Sequence, residues 1–242
     1  MKHLKFLSAV VLFSLTALFQ SCDDNDGYSI GDIGRDLVTV HMVGNNTYSF
    51  TGDTWGSMWP AAPAFINYRP VEGERAILYF NPLYDDFEGY DVAIKVENIQ
   101  PILTKTVEEL TAENEADYGN DPARISDVWI SGGYMNLIFH QHLPEKSKHR
   151  VSLVENTSEE HENDDYIHLE YRYNTYGDTL RPAMVRSMVC YNLNTLDMEN
   201  KKGIKLKINS AVSGERVLTF ESTSQQAPEN VKELELSDKY TK

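Results

Sequence analysis

The sequence contains little cysteine. Only Cys22 and Cys190 occur among its 242 residues, so a disulfide-rich scaffold is excluded. Cys190 lies in the largely apolar segment 184–191, and free cysteines in such segments behave as small hydrophobic core residues. We therefore predict a buried Cys190 rather than a nucleophile.

Positive charge is also scarce. The chain has 22 Lys and Arg residues against 37 Asp and Glu residues, which gives a formal net charge of −15. Nucleic-acid binding draws most of its affinity from Lys and Arg contacts to phosphates, so this balance argues against a nucleic-acid partner. Anionic membrane surfaces would repel a body of this charge, which suits a domain held off the membrane by a tether.

No apolar run is long enough to span a bilayer. Residues 6–19 form a run of roughly 14 residues, whereas a transmembrane helix needs about 20. Because Lys2 and Lys5 precede this run, it is typical of the apolar region of a signal peptide.

The residues after this run resemble a bacterial lipobox. Ser21 is a small residue directly before Cys22, and the acidic cluster 23–26 follows. We predict cleavage before Cys22 and acylation of its thiol. Two or more acyl chains, at about 0.8 kcal/mol per buried CH₂, anchor a protein stably in a lipid leaflet. An ordinary secretory signal with an incidental cysteine is the alternative.

Cleavage at this position sets the charge and the expected location of the mature chain. Residues 1–21 contain two lysines and no acids, so their removal takes the formal charge from −15 to −17. The acidic cluster resembles the export signal of surface lipoproteins of Bacteroidota. We therefore expect a lipid-anchored protein of the outer membrane, exposed at the cell surface, with the periplasmic face as the alternative.

Short β-strands dominate the rest of the sequence. Five short runs between residues 37 and 96 are bounded by turn residues and carry no amphipathic helix pattern, which favours a small barrel or sandwich. In residues 90–96, for example, Val92, Ile94 and Val96 alternate with polar positions and would share one buried face.

The second half is again predicted to be all β. Seven further runs follow, and Ser131-Gly132-Gly133 is a hairpin signal between two of them. Alternation predicts that Met135, Leu137 and Phe139 share a buried face, and one-sided burial favours antiparallel sheets packed face to face. The acidic segment 106–118 is the one place where a helix or an extended crossover is predicted.

Several motifs together resemble the NigD-like lipoproteins of Bacteroidota. They are Trp59-Pro60-Ala61-Ala62, Ile102-Leu103-Thr104-Lys105, Gly119-Asn120-Asp121-Pro122, Trp129-Ile130 and Gly133-Tyr134-Met135-Asn136. The resemblance implies an N-terminal OB-type barrel and a C-terminal β-sandwich. It also implies an accessory or immunity role linked to a bacteriocin gene cluster, and it supplies no catalytic residues.

These observations give the following expected organisation. A signal peptide occupies 1–21, an acidic tether 22–36, an OB-like barrel 37–105, a linker 106–122, a β-sandwich 123–222 and a flexible tail 223–242.

Candidate site residues are few. On an OB-type face, aromatic side chains can bind oligosaccharides, and Trp55, Trp59, Tyr68 and Tyr84 are available for this, although aromatic residues at strand spacing more often pack in a core. Asp178-Thr179-Leu180 resembles the O-glycosylation acceptor of Bacteroidota, so Thr179 is a candidate modification site.

Histidines and carboxylates give weaker signals. His140 and His142 would share one face of a strand, as two metal ligands do, with His149 and His161 as candidate third ligands. Exposed histidines without a metal are the favoured interpretation, and no cofactor or metal is predicted. The acids are too numerous for spacing to identify a catalytic pair, and G-x-S-x-G, P-loop, H-E-x-x-H and C-x-x-C motifs are absent.

The favoured hypothesis is a non-enzymatic, surface-anchored lipoprotein that binds a protein or glycan partner. One alternative is a hydrolase of envelope or host polysaccharide that uses paired carboxylates. A second alternative is a purely structural envelope protein.

Overall fold

The computed structural model describes residues 28–29, 31–44, 47–63, 67–158, 164–178 and 183–221. Cys22, His161, Thr179, the signal segment 1–21 and the tail 223–242 lie outside these residues. Within them, no helix is long and apolar enough to cross a membrane.

The described chain consists almost entirely of strands. In chain order the elements are β1 (Gly34–Gly44), β2 (Thr47–Gly52), β3 (Gly56–Pro63), β4 (Arg75–Phe87), β5 (Tyr90–Pro101), β6 (Leu103–Thr106), β7 (Glu108–Leu110), α1 (Glu115–Tyr118), β8 (Arg124–Ser131), β9 (Tyr134–His142), β10 (Arg150–Asn156), β11 (Tyr166–Asn174), β12 (Met184–Asn192), β13 (Gly203–Ser210) and β14 (Gly214–Glu221).

The first five strands close into a barrel in the order β1-β2-β3-β5-β4. β1 pairs antiparallel with both β2 and β4, and β3 pairs parallel with β5. Alternating apolar residues fill the interior, as predicted for Val92, Ile94 and Val96, which all lie in the barrel core. The prediction of a small N-terminal barrel is confirmed.

The remaining strands form a two-sheet sandwich. One sheet has the order β14-β13-β11-β10-β7 and the other the order β6-β12-β9-β8. Met135, Leu137 and Phe139 lie in the core between them, as the alternation predicts. The prediction of a C-terminal β-sandwich is confirmed, and its sheets are mixed: most pairs are antiparallel, whereas β10–β7, β11–β13 and β12–β6 are parallel.

The predicted linker is part of the sandwich. β6 pairs with β12 in one sheet, and β7 pairs with β10 in the other. Only Val107 separates these two strands, and its side chain packs partly buried against the sandwich core. Residues 103–110 therefore cross from one sheet to the other at their edges, and α1 has only four residues.

The predicted tether is shorter than expected. β1 begins at Gly34, and Tyr28 already contacts the barrel: its hydroxyl donates to Asp85 Oδ1 at 2.6 Å. Its ring centroid lies 6.2 Å from that of Trp55. The barrel therefore restrains the chain six residues after Cys22.

Candidate functional site

The barrel and the sandwich meet along an apolar junction. Residues from both domains form this cluster of buried side chains: Leu37, Ile77, Ile102, Trp129, Tyr134, Ile138, Met188 and Cys190. Cys190 is fully buried there, and burial raises the pKa of its thiol to about 12. The prediction of a core cysteine is confirmed, and the thiol is protonated at neutral pH.

A buried ion pair of the barrel lies beside this junction. Arg75, at the start of β4, donates from Nη1 to Asp53 Oδ1 at 2.9 Å and from Nη2 to Asp53 Oδ2 at 2.6 Å. Both side chains are almost completely excluded from solvent. Arg75 Nη1 also donates to Thr39 Oγ1 at 3.0 Å. This two-pronged geometry fixes both partners, because a guanidinium and a carboxylate match in plane and spacing.

Ser131 extends the pair into the sandwich. Its hydroxyl donates to Asp53 Oδ2 at 2.5 Å and accepts from Trp129 Nε1 at 3.1 Å and from Asn136 Nδ2 at 3.0 Å. These hydrogen bonds form one continuous network, and such networks restrict the side chains that take part in them. The network links the barrel to the β8–β9 hairpin.

The turn between β8 and β9 requires glycine at both of its positions. Gly132 and Gly133 both have positive φ, at 58° and 81°, as a two-residue hairpin turn requires. A Cβ on Gly132 would lie 2.8 Å from Asp53 Oδ1 and 2.9 Å from Arg75 Nη1. The turn can therefore approach the ion pair only if this position has no side chain.

A second carboxylate holds the turn that carries Asp53. The buried Asp36 accepts backbone N–H groups from Thr54 and Trp55 at 3.0 Å each, and from Leu37 at 2.9 Å. Burial raises the pKa of Asp36, although these three donors oppose the shift. Asp36 thus holds the loop between β2 and β3, which carries Asp53, in place.

A cleft of about 800 Å³ lies above this network, between the two domains. Hydroxyl and amide side chains dominate its lining, together with one aromatic residue, Tyr134, whose hydroxyl donates to Gly73 O at 2.8 Å. The polar lining residues are Thr39, His41, Thr51, Asp53, Glu72, Ser131, Asn192 and Asn194.

The two carboxylates of the cleft are already engaged. Both oxygens of Asp53 accept from Arg75. Glu72 Oε2 accepts from the backbone N–H of Met42 at 2.6 Å, and Glu72 Oε1 lies 3.3 Å from His41 Nδ1. Apart from Glu72, whose side chain is 62% exposed, the cleft offers neutral hydrogen-bonding groups, which suit a polypeptide segment or another polar ligand.

The four predicted aromatic residues do not form one surface. Trp55 and Tyr68 pack partly buried against the barrel core, and Tyr68 donates its hydroxyl to Glu74 at 2.6 Å. Trp59 and Tyr84 both pair with Ala93 across β5. Directly paired residues share a face of a sheet, so these two lie on either side of Ala93 on the outside of the barrel.

Tyr90 adds a third ring to this outer aromatic face. Its centroid lies 5.2 Å from that of Trp59. Ala93 is completely buried between its neighbours, whereas Tyr84 is 65% exposed. The face therefore consists of a small apolar floor flanked by aromatic side chains.

The predicted histidines have different surroundings. His140 pairs with Arg124 and Arg186 on the neighbouring strands. His149 is buried, with Nδ1 2.7 Å from the Tyr173 hydroxyl. Among the residues that the structure describes, no group of three or more His, Cys, Asp or Glu side chains could hold a metal ion.

Sequence reasoning missed the residues of the central network. Asp53, Arg75 and Ser131 are 22 to 78 positions apart, and no local pattern joins them. The available signals were an Arg at the start of the apolar run 75–80 and a serine before two glycines.

Comparisons with known proteins agree with this architecture. The model of the NigD-like N-terminal OB domain matches residues 37–102, and that of the NigD-like C-terminal beta sandwich domain matches residues 106–222. No curated protein matches the chain.

Solved structures from Bacteroides and Parabacteroides species have a similar fold. A protein of unknown function from Bacteroides vulgatus is 24% identical, with a TM-score of 0.72 over 85% of this chain and 100% of that one. A protein from Parabacteroides distasonis, described as toxin related, is 28% identical, with a TM-score of 0.66 over 84% and 100%. A NigD-like immunity protein from Bacteroides caccae is 16% identical, with a TM-score of 0.58 over 81% and 100%. With matching models for both domains, the chain belongs to the NigD-like family.

Proposed function

We propose that this chain is a lipid-anchored binding protein of the outer membrane with an immunity-like role, and that its interdomain cleft binds a segment of a protein partner. The observation that carries the proposal is the cleft itself, which has a rigid base and polar walls contributed by both domains.

The charges of the cleft favour binding over hydrolysis. A hydrolase that uses paired carboxylates needs one group that gives a proton and one that accepts it or attacks the substrate. Asp53 is held by a guanidinium, and Glu72 accepts a backbone N–H. Hydroxyls and amides remain, and these match the N–H and C=O groups of a polypeptide.

The relatives support a protein partner. One structural neighbour is named an immunity protein, and another is described as toxin related. An immunity-like role requires that the partner is a toxin or a component on which the toxin acts. A cleft of about 800 Å³ has room for a loop of such a protein.

A cell-killing assay tests this proposal. A strain from which the gene is deleted is exposed to concentrated culture supernatants of neighbouring bacteriocin producers, and survival is counted. We expect higher sensitivity to at least one supernatant and restoration by the wild-type gene.

Two matched variants locate the site. Thr51→Trp places a large side chain into the cleft from an exposed strand position, and we expect it not to restore survival. Thr219→Trp makes the same change on the exposed edge strand β14 and should restore survival fully. Equal restoration by both variants, or no change on deletion, would contradict the proposal.

The anchor is tested separately. Cys22→Ala should move the protein from the membrane fraction to the soluble fraction, because no acylated thiol remains. Protease added to intact cells should degrade the wild-type protein. Survival of the protein under protease would place it on the periplasmic side instead.

A glycan is the second candidate ligand, and the outer aromatic face of Trp59, Tyr84 and Tyr90 favours it. Aromatic rings stack on the apolar faces of sugars, and Tyr84 is available to solvent. Trp59→Ala and Tyr84→Ala should each reduce retention on immobilised bacterial polysaccharide. Tyr176→Ala, which removes an exposed ring elsewhere, should leave retention unchanged.

A further inference from the structure

Three positively charged or protonatable side chains form a row on the sandwich. Arg124 on β8 and Arg186 on β12 both pair directly with His140 on β9. Directly paired residues lie on the same face of a sheet. Because Phe139 points into the sandwich core, the three side chains lie on the opposite, outer face. We call them the cationic row.

The row is compact. Neighbouring strands lie about 4.8 Å apart, so the two arginine backbones flank that of His140 at about this distance on either side. Arginine side chains are longer than this spacing, so both guanidiniums can reach a group bound above the imidazole.

Among the described residues, Arg124 and Arg186 form no ion pair. Arg75, Arg150 and Arg172 each contact a carboxylate. By contrast, neither Arg124 nor Arg186 lies within 4.0 Å of a carboxylate oxygen in the described ranges. Asp127 lies in the adjoining row, opposite Ile138. Such a cationic cluster is unusual on a chain whose formal charge is −15.

Two buried nitrogen atoms of the row also have no hydrogen-bond partner within the part of the chain that the structure describes. They are His140 Nδ1 and Arg186 Nε. Buried polar atoms are almost always paired in folded proteins, and an exception calls for an explanation such as a bound ion. Burial and the charges of Arg186 and Arg124 lower the pKa of His140, so the row repels a further cation and would attract an anion.

We propose that the cationic row binds a phosphate group. A metal ion does not fit, because two guanidiniums flank the only imidazole of the row. A carboxylate has two oxygens in one plane and is matched by a single guanidinium. Phosphate carries up to two negative charges on oxygens that point in several directions, so it can accept from Arg124, His140 and Arg186 together. This site is separate from the cleft and does not depend on it.

Titration with inorganic phosphate tests the proposal. Residues 23–242 are titrated at constant ionic strength, with chloride as the balancing anion, and binding is followed by calorimetry and by the imidazole resonances of His140. We expect saturable binding and a saturable shift of those resonances.

Variants assign the binding to the row. Arg124→Gln and Arg186→Gln should each weaken binding about tenfold or more, because each removes a charge-assisted hydrogen bond. Arg186→Lys keeps the charge and should weaken binding less than Arg186→Gln does. Arg216→Gln removes the same charge from the exposed strand β14 and should change the affinity by less than about twofold.

Two outcomes would overturn the proposal. One is the absence of saturable phosphate binding by the wild-type chain. The other is equal weakening by Arg216→Gln and Arg186→Gln, which would indicate a general charge effect.

Vesicles distinguish the source of the phosphate. If the group belongs to a lipid headgroup, the protein should sediment with vesicles containing phosphatidic acid, and Arg186→Gln should reduce sedimentation. If inorganic phosphate binds but such vesicles sediment no protein, the ligand is a soluble phosphorylated molecule.

Discussion

At the residue scale, the pair of Arg75 and Asp53 differs from every exposed ion pair of the molecule. Its side chains are 0% and 4% exposed, so water cannot replace either partner. The pair of Lys95 and Glu97 has a similar distance of 2.6 Å, but its side chains are 47% and 32% exposed. Exposed pairs contribute about 0–1 kcal/mol, whereas removal of one partner of a buried pair leaves an uncompensated charge.

We predict that Asp53→Ala lowers the free energy of unfolding by about 3–5 kcal/mol, because Arg75 stays buried without its carboxylate. Urea unfolding followed by circular dichroism measures this. Glu97→Ala is the matched control and should cost less than about 1 kcal/mol. Equal effects of the two substitutions would mean that the Arg75–Asp53 pair is not important for stability.

At the scale of elements, the carboxylate of Asp178 links two loops of the sandwich, the one after β11 and the one before β10. Asp178, after β11, accepts the backbone N–H of Glu145 at 2.8 Å. Its Oδ2 also lies 3.4 Å from Nε2 of His149, just before β10. The ring of His149 packs edge-on against Tyr173 at 5.6 Å. Burial lowers the pKa of His149, and Asp178 only partly offsets this.

The lowered pKa of His149 predicts a loss of stability in mild acid. In the unfolded chain a histidine has a pKa of about 6.5, so the unfolded state binds a proton before the folded state does. The contribution is complete above pH 6.5 and is lost as the pH falls below that value, with a slope of at most about 1.4 kcal/mol per pH unit.

His149→Asn should flatten this dependence, because asparagine does not titrate. Urea unfolding at pH 5 to 8 measures the slope for both proteins. Since the pKa of His140 is also lowered, the informative quantity is the difference between the two slopes. Identical slopes would assign the acid sensitivity to other groups.

Strand faces could be predicted from sequence, whereas strand partners could not. Alternation alone correctly placed Leu137 and Val92 in two different cores, because burial of one face is a local property. The parallel pairing of β6 with β12 joins residues 86 positions apart, and nothing local specifies it. For the same reason the pattern at His140 and His142 showed only that the two side chains share a strand face. The arginines beside His140 come from other strands.

At the scale of the whole molecule, the two domains share one apolar junction. Leu37 and Ile77 of the barrel lie in the same buried cluster as Trp129 and Ile138 of the sandwich. Neither domain could expose this surface without a cost of about 25 cal/mol per Å². The network of Arg75, Asp53 and Ser131 crosses the same boundary.

We therefore predict that the barrel and the sandwich unfold in one transition. Tryptophan fluorescence separates the domains, because Trp55 and Trp59 lie in the barrel whereas Trp129 lies in the sandwich. Variants that retain only Trp129, or only Trp59, should give coincident urea transitions. Ile77→Ala should shift both transitions together, by about 2–5 kcal/mol. Separate midpoints would indicate two independent domains.

If Cys22 carries a lipid as proposed, the contact of Tyr28 with Asp85 and Trp55 limits the height of the barrel above the membrane. Tyr28 lies six positions after Cys22, and an extended chain spans at most about 3.6 Å per residue, or about 20 Å in all. If Cys22 carries the lipid, the barrel is the membrane-proximal domain. Insertion of residues between Cys22 and Tyr28 would raise the barrel above the headgroups and leave the geometry of the cleft unaltered.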